Sequence, residues 1–394
     1  MASQTSTSSP GSRLRRLTAV ALTLGTVGAL AAAAPHSAGA PAGAGHAPRK
    51  ADHGFKERDL VSDLQGRAEE QDDNLVNPWG LVRTPQGAIR VSNNGTSTST
   101  VYSGARNGQP VNILSPVIHL PEDADPTGIV RNDTKDFRFS ASGKSAPARY
   151  IFAGEGGGLF AFNARVDQTH AFEVAQEDDA VFKGLTLVEC EKKGGQGNGC
   201  EKGGKQQSRI LVANFRDARI DAFDTDFKQV TLPDGAFQDP NLPGGFAPFD
   251  VKKIGQKVFV TYALQDADKK DDVPGPGNGF IDVFNTKGEL LQHFASGGVL
   301  NSPWGLETAP KGFGKFAGDL LVGNFGDGRI NVFNLKTGRF KGTLKDREGK
   351  PIVINGLWGL QQGTAQSGGK DSVWFAAGIE DEQHGLLGTL RAEK

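Results

Sequence analysis

Asn77, Asp125, Asn301 and Asn355 each stand one or a few residues ahead of a short glycine-containing apolar run: "PWGLV", "PTGIV", "SPWGLE" and "LWGLQ". Asp250 lies inside the matching stretch "APFDV", at the place where the others have glycine. Carboxylate oxygens mixed with neutral amide oxygens are the donor set that Ca2+ takes, and the mixture tunes the charge of such a site. The same residue types also serve turns, because Asn and Asp side chains bond nearby backbone and tolerate left-handed φ. Both roles stay open for each of the five.

A second set occupies turns further along each stretch. It comprises Asn94 in "NNGTSTS", Glu155 in "GEGGG", Asn214 in "NFRDA", Asn324 in "NFGDG", and Asp381 with His384 in "GIEDEQHG". Asp266 and Asp268 belong to the longest of these turns, "ALQDADKKDDVPGPGNG" at 263–279. Its length marks it as functional or as a lid. Asp266, Asp268 and Asp272 show part of the alternating spacing of a calcium loop, but Lys270 interrupts it and no Glu closes it. His384 is the histidine best placed to act as a general base, although exposed turn histidines are more often idle. The chain has no G-x-S-x-G elbow, no H-E-x-x-H and no phosphate-binding P-loop. "GEGGGL" leads into a strand pattern, which rules out a dinucleotide-binding turn.

The elements that must position these residues form a repeat. "NPWGLV", "DPTGIV", "FKGLTL", "APFDV", "SPWGLE" and "LWGLQ" are each followed by one or more strand-like runs, such as "DLLVGNFGDGRINVFN". Gly80, Gly128, Gly184, Phe249, Trp304 and Trp358 mark the six units, with spacings of 48, 56, 65, 55 and 54 residues. An irregular period of this size with three or four strands per unit predicts an all-β, six-bladed β-propeller of four-stranded antiparallel blades. "DLLV" is apolar at successive positions, as a strand covered on both faces must be. "RIDAFD", "FIDVFN" and "RINVFN" alternate, as strands further from the axis do. Each marker motif then begins an innermost strand, its glycine permitting close backbone approach and its tryptophan filling the wedge between blades. The sixth unit runs out of chain before a fourth strand. "FKERDLVSD" (55–63) is therefore expected to complete the last blade and close the ring, which leaves no open edge.

The ends and the composition bound the rest. "RLRRL" (13–17), an alanine-rich apolar run to Ala34 and small residues up to Ala44 predict a signal peptide over 1–44, with a flexible linker at 45–54 and a single propeller over 55–394. The pattern fits Sec export, with Arg15-Arg16 raising the twin-arginine route. A secreted, extracellular protein without a membrane span in the mature chain is expected. The leader's three arginines leave 41 basic against 45 acidic residues in the remainder, and no basic patch interleaves with aromatics. A nucleic-acid partner is excluded on that ground. The 54 glycines fit many short strands with tight turns. Cys190 and Cys200, close together in an exported chain, are expected to form a disulfide.

"NLVNPWGL", "VTYALQDADKKDDVPGPGNGFIDVF", "LNSPWGLE" and "GDLLVGNFGDGRINVF" closely resemble a family of exported bacterial propellers of uncharacterised function, over about residues 58–390. Some members of that family carry a PEP-CTERM sorting tail. This sequence ends at Lys394 without one, which implies release rather than anchoring. More distantly the units are similar to NHL-type and senescence-marker-like six-bladed propellers, some of which are calcium-dependent lactonases. Two functions follow as expectations. The first is an extracellular binding module that holds a small molecule, glycan or protein on the Asn/Asp-rich face, as a monomer. The second is a Ca2+-dependent lactonase- or esterase-type hydrolase with the ion in the channel, held by Asn77, Asp125, Asn301 and Asn355 and acting as a Lewis acid. Ca2+ is the one cofactor under consideration.

Overall fold

A computed structural model describes residues 54–189 and 208–393. Six blade sheets follow one another along the chain, antiparallel apart from one short parallel pair in the last, where Glu70–Gln71 lies beside Val61 and Ser62. Blade one is built from Pro78–Arg83, Ile89–Asn93, Thr98–Gly104 and Val111–His119. Blades two, four and five repeat that order, with inner strands Pro126–Arg131, Phe246–Ile254 and Pro303–Thr308. In blade six the strands Leu357–Gln362, Ser372–Gly378 and His384–Ala392 are completed by Phe55–Ser62. That last strand runs antiparallel to His384–Ala392, from Phe55 opposite Ala392 to Ser62 opposite Leu386. The closure expected from the sequence is present. The leader, the linker up to residue 53 and both cysteines lie outside the described residues.

Blade three departs from the pattern. Its ladder holds Phe182–Val188, Arg209–Asn214 and Arg219–Phe223 only. The outer position is taken by an irregular segment whose Val230 N–H still bonds the Ala222 carbonyl. Pro233, Pro240 and Pro243 follow closely, and proline has no N–H to give a ladder. Blade two carries an extra hairpin, Arg138–Ala141 with Lys144–Pro147, between its first two strands.

The second strands are buried along nearly their whole length; Leu320, Leu321 and Val322 all reach 0% exposure. The third strands differ from expectation. Their polar alternates Asp221, Asp282 and Asn331 are buried as well; Asp282 and Asn331 face the side covered by the preceding blade and its connection, where Asp239 and the Val299 carbonyl meet them. No helix among the described residues is long and apolar enough to cross a membrane.

Candidate functional site

The second residue of each inner-strand triplet forms a layer on the axis: Trp79, Thr127, Lys183, Phe249, Trp304 and Trp358. The indoles do not wedge between blades as expected from the sequence. Trp79 stacks on Trp358 with ring centroids 3.4 Å apart, Trp304 meets both edge-on, and Phe325 covers Trp358 at 3.9 Å. The reason is crowding. Each following glycine sits so close to the next blade that a Cβ would strike it, as at Gly359, 2.3 Å from the Trp79 carbonyl, and Gly305, 2.4 Å from that of Trp358. The strands are thus drawn together until their large rings meet and plug the channel.

On the face where inner strands begin, polar groups lie against this plug. Lys183, absent from the sequence-based candidates, is its centre. Its side chain is 2% exposed, with Nζ 2.6 Å from Glu155 Oε1 and 3.7 Å from Asp271 Oδ1. Nζ also lies 5.1 Å above the Trp79 ring. Burial works against the ammonium, but Glu155 and Asp271 outweigh it and raise its pKa. Glu155 is desolvated too, yet Lys183 brings its pKa below the ordinary value. Glu382 is lifted to about 6, chiefly by burial, although the Asn77 amide donates to it at 2.8 Å. Glu380, Asp381 and Glu382 hold φ of 53°, 54° and 64°, three left-handed residues in a row. Strain of that kind persists only where surroundings enforce it.

The predicted residues of this face are mostly spent on structure. Asn77 accepts the Trp358 indole N–H at 3.2 Å and reaches Asn94. Asn94 donates to the Asp125 carbonyl and to Glu155. Asn77, Asp125 and Ser302, each before a proline, have φ of 45°, 41° and 46°, so a short polar side chain suits the backbone there. Asp125 is pushed above the usual carboxylate range by burial and by Glu155. Asn301 accepts the Gly275 N–H at 2.7 Å, whereas Asn355 is exposed. Asn214 donates to Asp217 and Asp221, and Asn324 to the Val299 carbonyl and Asp327. Asp266 receives the N–H groups of Lys270 and Asp271, fixing the long loop; Asp268 and Asp381 are exposed. His384 pairs with Asp63 at 2.6 Å, which raises its pKa. Among the described residues, none of these acids belongs to a group of three His, Cys, Asp or Glu with ligand atoms within 4.8 Å.

The opposite face holds the open end of the channel. A cavity of about 780 Å³ is lined by the inner strands of all six blades. A belt of ion-pair and hydrogen-bond contacts runs along its wall through five of the six blades. Lys252 of blade four lies 3.6 Å from Glu307 of blade five. Glu307 accepts from Gln361 and from the Gln362 N–H of blade six. Arg83 of blade one donates to the Gln362 side chain at 2.9 Å, and Arg131 of blade two donates to the Arg83 carbonyl. Trp304 also lines the cavity.

Asp250 lines the same cavity, in a layer otherwise made of glycines: Gly80, Gly128, Gly184, Gly305 and Gly359. Its N–H bonds the Thr261 hydroxyl, and Oδ1 accepts the Val251 N–H at 2.8 Å. The carboxyl occupies the space over Gly184, where a Cβ would stand 1.8 Å from Oδ1. Burial pushes its pKa up to about 7, with Lys252 only partly opposing. The sequence singled out Asp250 but not the belt. The signal was there, since inner strands end in "LVR", "IVR", "VKK", "LET" and "LQQ".

Fold and axis together define a six-bladed β-propeller whose channel is plugged by aromatic rings at one end and opens onto an acid-floored cavity at the other. By sequence the chain belongs to the family of the uncharacterized protein L690 of Acanthamoeba polyphaga mimivirus, with 31% identity over 353 residues covering 87% of each chain. It is also 29% identical over 352 residues to the uncharacterized protein R648 of the same virus, covering 87% of this chain and 82% of that one. No family profile matches the chain. Among solved structures, a streptogramin B lyase aligns over 88% of this chain and 100% of its own, at 13% identity and a TM-score of 0.48. At those values nothing about ligand or reaction passes from it to this protein.

Proposed function

We propose that this chain is an exported binding protein that takes an uncharged, hydroxyl-rich small molecule of the saccharide class into the open end of its channel. One observation carries this: an ionisable Asp250 stands on the floor of a 780 Å³ cavity, in a layer that is otherwise glycine. A buried acid is costly unless something uses it, and perturbed carboxyls in clefts mark functional sites. With a pKa of about 7 the carboxyl both donates and accepts at neutral pH, which suits hydroxyl groups. The charges lining the whole cavity nearly balance, with Arg83, Arg131, Lys252 and Lys253 against Asp133, Glu189, Glu307 and Asp250, favouring a neutral ligand over an ion, and Trp304 offers an apolar surface for a sugar ring. The leader-like 1–44 segment supports export.

The experiment is a thermal-shift and calorimetric screen of mono- and disaccharides and their lactones on wild type and Asp250→Asn. Binding to wild type with marked loss in the variant is expected. A panel that binds neither protein at millimolar concentration would sink the proposal. A hydrolase reading draws on the same carboxyl, because a general base needs a pKa near the working pH. Under it, a lactone that binds is also opened by wild type, and Asp250→Asn binds it without opening it.

A further inference from the structure

The third strands of three successive blades bury a polar residue at the same place: Asp221, Asp282 and Asn331. In blade three Asp221 is closed off by Arg219 at 2.6 Å and Asn214 at 2.8 Å. In blade five Asn331 donates to the Val299 carbonyl at 3.0 Å and accepts the Thr343 hydroxyl at 2.7 Å. Blade four is different. There Asp282 faces a second acid, Asp239, from the proline-rich segment that replaces blade three's outer strand. His293, directly opposite Asp282 on the neighbouring strand, places Nδ1 3.1 Å from Asp239 Oδ2 and 3.3 Å from Asp282 Oδ1.

Two further groups point at an absent partner. Asp282 Oδ2 and the Tyr262 phenol oxygen are buried without a hydrogen bond, in residues each 2% exposed. Tyr262 stands one diagonal step from Asp282 across the ladder, and its phenol feels both carboxylates. The Tyr262 phenol has the Asp282 carboxylate beside it, whereas two facing buried carboxylates are expensive to leave without a countercharge, which a cation between them would supply.

We propose that Asp239, Asp282 and His293 form a site for a first-row divalent cation, Zn2+ foremost, with Tyr262 beside it. Tetrahedral zinc with N and O ligands at about 2.0–2.2 Å sets its donors roughly 3.3 Å apart. The separations of 3.1 and 3.3 Å already have that spacing. Asp239 Oδ1 is held by the Asn241 N–H at 2.8 Å, which aims Oδ2 at the site. His293 is half exposed, giving a path in and a fourth position open to water. The bound ion ties the irregular segment of blade three to the sheet of blade four.

The test uses the whole protein carrying Cys190→Ser and Cys200→Ser, so that no thiolate competes, after dialysis against chelator. Zn2+ is titrated by calorimetry and Co2+ by its visible absorption. One equivalent of zinc, a melting temperature raised by several degrees and an intense tetrahedral cobalt spectrum are expected. His293→Ala, at a half-exposed position that tolerates truncation, should weaken zinc at least tenfold and abolish the cobalt bands; Asp282→Asn should do the same if it folds. His170→Ala, which removes a surface histidine beside Asp167, should change nothing. No zinc binding, or equal binding by the parent and His293→Ala, overturns the proposal.

Discussion

The two ends of the axis are built from the same six strands and use polar residues in opposite ways. Where the strands begin, Asn77, Asn94, Glu155, Lys183 and Glu382 answer one another, although Asn93 Oδ1, Asp272 Oδ2, Ser302 Oγ and Asn324 Oδ1 are buried there without a partner. Where the strands end, the belt from Lys252 to Arg131 is likewise paired, but it lines a cavity and leaves Asp250 beneath it. Abundance of Asn and Asp is therefore a poor guide to a binding surface. What separates a brace from a site is whether the polar groups have already spent their hydrogen bonds on each other.

That contrast assigns the largest losses of stability to the plugged end. Trp358→Ala removes the ring that Trp79 and Phe325 sandwich, and should cost about 3–5 kcal/mol in urea unfolding. A loss under about 1 kcal/mol would mean the plug is a consequence of closure rather than a support for it. Lys183→Met comes next, at about 3 kcal/mol, because it leaves Glu155 buried and unpaired. Adding Glu155→Gln should recover most of that loss. If the double variant is no more stable than Lys183→Met, the pair is not the interaction that matters.

The fold was legible because its signals are local. Six related triplets, five of them glycine-bearing, alternating third strands and an orphan strand ahead of the first unit each carry their meaning within a few residues. The site was legible only in part. Asp250 could be seen because it breaks a repeat, and Asn77 and Asn94 because the turn types are visible. Lys183 was hidden by lying inside "FKGLTL", where it reads as a surface residue between apolar neighbours. Its partners Glu155 and Glu382 arrive from other blades, a pairing that only ring closure creates. Which end of the axis carries the cavity was hidden for a similar reason. Residue types were visible, but whether they are satisfied depends on contacts across the axis.

The open end should behave in reverse. Asp250 has a pKa of about 7 in the fold against an ordinary value of 3.8. Between those values the native state keeps a proton that the unfolded chain has lost, so stability falls as pH rises from about 4 toward 7 and stays lower above. Asp250→Asn has no proton to lose there. It should therefore exceed wild type by roughly 2–4 kcal/mol at pH 8 and converge with it below about pH 4. Glu382, lifted to about 6, leaves a residual slope of the same sign in both proteins. A variant that gains stability while losing ligand is the signature of a residue kept for function. Equal stability of the two proteins at pH 8 would place Asp250 in a wetter site than the cavity floor.

The smallest effect is expected at Asn355, and it bears on calcium. Asn355→Ala alters an exposed side chain and should stay within about 0.5 kcal/mol of wild type. Asn301→Ala removes the acceptor of the Gly275 N–H and should cost about 1 kcal/mol. If the two only fix turns, the double variant shows the sum of these losses and its melting temperature responds to Ca2+ or chelator just as wild type does. If they share an ion, the double loss exceeds the sum and the calcium response disappears. A double-mutant cycle with and without Ca2+ thus decides whether the Asn-rich end is bracing alone or a metal site.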